Sequence, residues 1–293
     1  MEDRSVWDRL ERSWALVKTS GAVVADNKAL LLFPAASALA SLAVIATFII
    51  PLLPILGAQS TDPVADGDQR MFYVVMFLLY IALYFVTIFF NTALVSVALA
   101  RLEDRPAGVR DGLACAVARL PRIAGYTLIA ATVGLLLRAI EERVGWVGRI
   151  VVGLIGTVWT LATFLVVPIL AAQDAAQDVS PIRAVRDSAE MLKRTWGENL
   201  TGTVGLSLVF GLVYVLLTAL VIAMAVAALQ FELQGLAVAI IACGVSAAVL
   251  LAATQAAIQG VYAAALYRYA CHGDLSGGFA KAQFEGAFQP KGS

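Results

Sequence analysis

The chain predicts an all-α, polytopic membrane protein of six transmembrane helices. Three observations carry this. Of 293 residues, 60% are hydrophobic and 14% charged, with mean hydropathy +0.84; a soluble domain is about half apolar and about a quarter charged. Apolar runs recur at the length of about 20 residues that a helix needs to cross a hydrocarbon core of about 30 Å. Lys and Arg gather in alternate connections between those runs.

The first element is an N-terminal segment, residues 1–28. Trp7, Leu10, Trp14, Val17 and Val24 recur at helical spacing, and Asp8, Arg9, Glu11, Arg12 and Lys18 mostly fill the opposite face. This pattern predicts an amphipathic helix in the membrane interface, with its tryptophans at headgroup depth. The alternative is a cytoplasmic helix packed on the bundle. The segment stays charged until Lys28, and the apolar run after it is too long and too late for a secretory signal. It is therefore expected to remain as a membrane helix.

The spans follow at 29–56, 71–100, 123–140, 147–172, 200–229 and 235–267, within a transmembrane domain of 29–272. The third is the shortest. Pro51, Pro54 and Pro168 fall near span ends and predict bends or terminations there. Residues 273–293 read as a flexible cytoplasmic tail.

The charges orient these spans. One set of segments holds Arg4, Arg9, Arg12, Lys18 and Lys28, then Arg101, Arg105, Arg110, Arg119 and Arg122, then Arg183, Arg186, Lys193 and Arg194, and last Arg268, Lys281 and Lys291. The other set holds only Arg70, Arg138, Arg143 and Arg149. The positive-inside rule then predicts a multi-pass protein of the cell (inner) membrane with both termini cytoplasmic.

The basic connections are more than turns. "VRDGLACAVARLPRI" (109–123) and "VRDSAEMLKRTWGEN" (185–199) both open Val-Arg-Asp-small and both lead into a span. "SWALVKTSGAVVADN" (13–27) does the same with less identity. The inferred unit is an interfacial helix followed by a transmembrane hairpin, used three times. It places interfacial helices at about 106–120 and 181–196, with Pro106 and Ser180-Pro181 at their starts.

Ionisable and polar groups within spans mark function more often than those elsewhere. Asn91, Gln255 and Gln259 are the amides expected at membrane depth. Asn91 is expected to be buried and to make an interhelical hydrogen bond; the two glutamines share a helix face and suit the same role or a polar seam. Arg138, Glu141, Glu142 and Arg143 end the third span. Arg138 has Glu141 and Glu142 three and four residues away on one helix face, which predicts a self-neutralised helix end. The sharper reading is an ion-pair site in an outer vestibule. Small residues in the sixth span (Ala247, Ala248, Ala252, Ala253, Ala256, Ala257, Gly260) and in the fourth (Gly153, Gly156) predict close helix packing. Arg110, Arg119, Arg122, Arg186, Lys193 and Arg194 are the candidates for lipid headgroups, since a basic residue beside an anionic surface is worth about 1 kcal/mol.

No catalytic, metal or cofactor site is expected. Cys115, Cys243 and Cys271 are scattered and His272 is the only histidine. HExxH, GxSxG, P-loop and GxGxxG patterns are absent. The serines of the spans have no histidine or lysine at comparable depth, as a membrane-embedded hydrolase requires. Zero formal net charge gives no field for nucleic acid.

"ATVGLLLRAIEERVGWVGRIVVGLIGTVWTLATFLVVPIL" with "LKRTWGENLTG" resembles an uncharacterised prokaryotic family of small six-helix membrane proteins, along nearly the whole chain. The repeat is also loosely similar to membrane domains attached to some bacterial glycerophosphodiesterases, in architecture only. Neither resemblance implies functional residues here. The expected function is a non-enzymatic membrane protein that binds lipid or organises a membrane assembly, with membrane lipids and other copies of itself as partners. The alternatives are a channel or transporter for a small solute, and a membrane-embedded enzyme.

Overall fold

The computed structural model describes residues 20–52, 66–172, 180–194 and 196–272. The segment containing Trp7 and Trp14, residues 53–65 with Pro54, and residues 273–293, read above as a tail, lie outside them. Among the described residues the chain is helical apart from short turns, with no strand. It forms a multi-pass membrane protein: six helices are long and apolar enough to cross a bilayer.

After a helical segment at 20–26, a 3₁₀ turn at Lys28–Leu31 leads into α1, Leu32–Ile49. Pro34 sits in the first turn of α1, where its missing N–H has no intrahelical partner to lose. Helix α1 ends in a second 3₁₀ turn, Ile50–Leu52, which contains Pro51. The change from α to 3₁₀ falls at that proline, and residues 53–56 of the expected span lie outside the described residues.

Helix α2, Asp66–Leu102, is the centre of the fold. It packs against α1, α3, α4, α6 and α9. Its last three turns are buried almost all round, with Ala93, Leu94, Val95, Val97, Ala98 and Leu102 within the core. It closes in a Schellman motif. The Arg105 N–H donates to the Ala100 carbonyl at 2.9 Å and the Asp104 N–H to the Arg101 carbonyl at 3.1 Å, while Asp104 takes the left-handed φ of 54° such an end requires.

Helix α3 is Val109–Ala118. It starts after Pro106 because the Asp111 carboxylate accepts the Gly108 N–H at 2.8 Å and fixes Gly108 as the cap. Gly112 lies directly on α2: a Cβ there would stand 2.7 Å from the Ala93 carbonyl oxygen.

Helix α4 is Leu120–Glu141. It gains an extra turn over the expected 123–140 because Pro121 fits a first helical turn. With 22 residues it shares the shortest length among the described spans with Lys28–Ile49 and Val209–Gln230.

The fourth span is broken. Helix α5, Trp146–Ala162, ends in a turn at 163–165, and the short α6, Val166–Ala171, completes the crossing. The cause is Pro168, whose ring cannot coexist with a helical carbonyl at Phe164 and which donates no N–H.

Helix α7, Pro181–Arg194, begins with the Ser180 hydroxyl accepting the Arg183 N–H at 3.3 Å. It packs on α4, α5 and α6. Ala184, Ser188 and Leu192 are buried at four-residue spacing, while Arg183, Arg186, Glu190 and Lys193 are exposed.

Helices α8, Trp196–Gln230, and α9, Gln234–His272, form the last hairpin. Its turn is again a Schellman motif, with Glu232 at φ 59° and the Leu233 N–H on the Ala228 carbonyl at 2.9 Å. Helix α9 packs on α8 along one face and on α2 along another. The ends of α2, α6 and α9 and the whole of α3 and α7 lie at one end of the bundle, referred to below as the basic end.

Candidate functional site: a groove at membrane depth

Four pieces of chain enclose a groove of about 650 Å³. Helix α1 contributes Pro34, Ala38 and Ser41, and α2 contributes Thr87, Asn91 and Leu94. Both sets run i, i+4, i+7, so each is one helix face. Phe164, Val167 and Pro168 come from the break and from α6. Ala256, Gln259, Gly260 and Ala263 come from α9. The groove exists because alanines and glycine stand where larger side chains would fill it.

Its walls are apolar apart from a few groups. The Thr87 hydroxyl is satisfied within its own helix, donating to the Leu83 carbonyl at 2.9 Å. Asn91 is different. In place of the expected buried interhelical hydrogen bond, it is exposed and its side chain makes no hydrogen bond among the described residues. The physical reason is its neighbours: the small faces of α1 and α9 opposite it leave open space in place of a polar partner. Gln259 lines the same groove. Gln255, one turn away, is half-buried and off the lining. The expected seam of three amides is thus a pair, Asn91 and Gln259.

At the foot of the groove α9 touches α2. A Cβ on Gly260 would lie 2.3 Å from Leu94 Cδ2 and 3.6 Å from Asn91 Oδ1. Gly260 therefore sets the distance between the two amide-bearing helices. Gly153 and Gly156, expected to pack tightly, do not: Gly153 has nothing within 4 Å of its added Cβ and Gly156 only Leu137 at 3.8 Å. Both line a second cavity instead.

That second cavity, about 520 Å³, lies at the end opposite the basic one, between α4 and α5. Arg138, Glu141, Glu142 and Arg149 border it, and Arg143 stands exposed in the turn beyond. Arg138 Nε meets Glu142 Oε1 at 3.3 Å, with the two side chains 78% and 69% exposed. The pair is a solvated i, i+4 ion pair at a helix end, and Glu141 takes no part in it. This cavity and the groove share no lining residue.

The basic residues separate into two kinds. Arg110 and Lys193 are exposed, and Arg186 is exposed with its Nε 3.1 Å from Glu190 Oε1. Arg122 is half-buried, and the side chain of Arg194 lies outside the described residues. Arg119, expected to face lipid headgroups, turns inward. Its Nη2 donates to the Ala172 carbonyl at 2.7 Å and its Nη1 to Cys115 Sγ at 2.7 Å. The Cys115 thiol in turn donates to the Ala171 carbonyl at 3.8 Å. The carbonyls that end α6 lack helical partners and carry partial negative charge, and they draw the guanidinium in. Arg268 does the same for α2, donating to the Leu102 carbonyl.

Ser188 was not singled out from the sequence, yet it is fully buried. Its hydroxyl donates to the Ala162 carbonyl at 2.6 Å and accepts the Leu165 N–H at 3.1 Å. These are the backbone groups that the break orphans. The only signal in the sequence was a serine at helical spacing from Ala184 and Leu192.

A family of unknown function, DUF6159, matches residues 70–278, and the chain belongs to that family. The matched range includes α3 to α9 and nearly all of α2; α1 precedes it. No curated protein and no solved structure matches the chain.

Proposed function

We propose that this member of the DUF6159 family is a non-enzymatic membrane protein that binds a lipid, or a similarly shaped amphiphile, in the groove between α1, α2, α6 and α9. The observation that carries this is Asn91, exposed and without a hydrogen-bond partner on a largely apolar wall. Such a group is costly in hydrocarbon unless a ligand or water meets it. The groove's volume falls in the range of small-molecule sites, about 300–1,000 Å³. Asn91 stands eleven residues before the end of α2, about 16 Å along a helix that rises 1.5 Å per residue. That depth suits the upper part of an acyl chain or a group attached to it. The basic end then faces the cytoplasm, with Arg110, Arg186 and Lys193 toward anionic headgroups.

A solute channel needs a continuous polar path. Between the groove and the Arg138–Glu142 pair there is no common lining residue, so this reading has less support.

The test is lipid analysis of protein purified in a mild detergent. Wild type is expected to retain a lipid through washing that strips the annular shell. Ala256→Phe, which fills the groove, should lose it, and Asn91→Leu should alter which species is retained. Equal retention by wild type and Ala256→Phe would remove the groove as the site.

A further inference from the structure

Asn91 is joined on the groove wall by three more polar side chains in the same condition: Gln259 of α9, and Ser37 and Ser41 of α1. None of the four makes a side-chain hydrogen bond among the described residues. Other hydroxyls of these helices do. Thr47, Thr87 and Thr254 each donate to the carbonyl four residues back, at 2.8–2.9 Å. The four come from three helices yet share one depth. Ser37 and Ser41 follow Lys28 by 9 and 13 residues, Asn91 precedes Arg101 by 10, and Gln259 precedes Arg268 by 9. At about 1.5 Å per residue, each lies about 14–20 Å from the cation at the basic end of its own segment. That is near the middle of a hydrocarbon core of about 30 Å. No charged residue lines the groove among the described residues.

We infer that the occupant of the groove is an uncharged lipid whose carbonyl or hydroxyl oxygens lie at mid-bilayer depth and bond to Asn91, Gln259 and the two serines. This names the groove lipid proposed above more narrowly and rests on that reading. An ionic phospholipid fits poorly in either of two positions. With its phosphate among the four groups, it carries a charge into hydrocarbon against a wall that holds no cation. With its phosphate at the basic end, only acyl carbons reach this depth, and they leave two amides and two hydroxyls unpaired. An uncharged lipid with oxygens in its buried part avoids both costs. Those oxygens accept from the amide N–H groups and the serine hydroxyls, and a hydroxyl on the lipid donates to an amide oxygen. A quinone on an apolar tail and a diacylglycerol share this chemistry.

Native mass spectrometry of the full chain in detergent, with one probe added at a time, tests this. The probes are a benzoquinone with a ten-carbon tail, dioleoylglycerol and dioleoylphosphatidylglycerol. One of the two uncharged probes is expected to bind on the order of tenfold more tightly than the phosphatidylglycerol, and the one that does identifies the head chemistry. Asn91→Leu and Gln259→Leu should each weaken that probe about fivefold, the worth of one hydrogen bond. The double variant Ser37→Ala, Ser41→Ala, which barely changes the packing, should weaken it by at least a similar factor, and Ala256→Phe should abolish its binding. Wild type that binds neither uncharged probe overturns the inference. So does equal affinity for the charged and uncharged probes, or uncharged binding that the amide and serine variants leave unchanged. The fate of the groove itself is read apart from this. If the phosphatidylglycerol binds best and Ala256→Phe removes it, the groove stands as a lipid site and the uncharged occupant fails. If Ala256→Phe changes the binding of no probe and the retention of no lipid, the groove fails and its occupant with it.

Discussion

The Ser188 hydroxyl donates to the Ala162 carbonyl at 2.6 Å, from a helix 26 residues further along the chain. The same oxygen accepts the Leu165 N–H. One small side chain therefore satisfies both sides of a break that a proline makes. Leaving a buried backbone group unpaired costs about 1–3 kcal/mol. Ser188→Ala should destabilise the protein by about 2–4 kcal/mol on that basis. A detergent melt that superimposes on wild type would remove Ser188 from this role.

Two glycines within spanning helices should respond in opposite directions. Gly260→Ala drives a methyl to within 2.3 Å of Leu94 Cδ2 and should cost about 1–3 kcal/mol by overpacking. Gly153→Ala meets only open space and should gain about 0.5–1 kcal/mol from the lower entropy of the unfolded backbone. Thermal unfolding of the two variants side by side decides it. The same sign for both would mean that α2 and α9 are not in close contact at Gly260.

Glu232 holds a left-handed backbone at φ 59°. That conformation costs a residue with a Cβ about 1–2 kcal/mol, and glycine escapes it. Glu232→Gly should raise the stability of the α8–α9 hairpin by up to about 1 kcal/mol. A lower melting temperature would contradict the geometry of the turn.

The Arg138–Glu142 pair is 3.3 Å long and largely exposed. Exposed i, i+4 pairs contribute about 0.3–0.5 kcal/mol and are screened by salt. Arg138→Ala should therefore change stability by no more than about 0.5 kcal/mol and leave lipid retention as it was. A loss of retention would move the site from the groove to the second cavity.

Much of this fold is legible in the chain because one physical demand dominates it. A helix in hydrocarbon must be long and apolar, and six segments are. The prolines speak locally as well: Pro51 ends α1, and Pro168 breaks the fourth span. The groove is less legible. Asn91 reads as buried glue, since sequence marks a polar residue in an apolar run but not the size of what faces it. Arg119 and Arg110 read alike as basic residues beside a membrane. Only the placement of α6 separates them, because the Ala172 carbonyl that captures Arg119 lies 53 residues away. Ser188 stays hidden for the same reason. Its hydroxyl answers a break in another helix, and the serine alone gives no hint that the break is near.

The Arg268–Leu102 contact carries a consequence for biosynthesis. It joins residues 166 positions apart, and the helix that bears Arg268 is the last of the described helices to leave the ribosome. Until then the C-terminal half of α2, with buried Leu94 and exposed Asn91 on it, has no α9 beside it. The groove is thus completed by the insertion of α9. A nascent chain stalled before α9 would lack Gln259 and Gly260, and with them one wall of the groove.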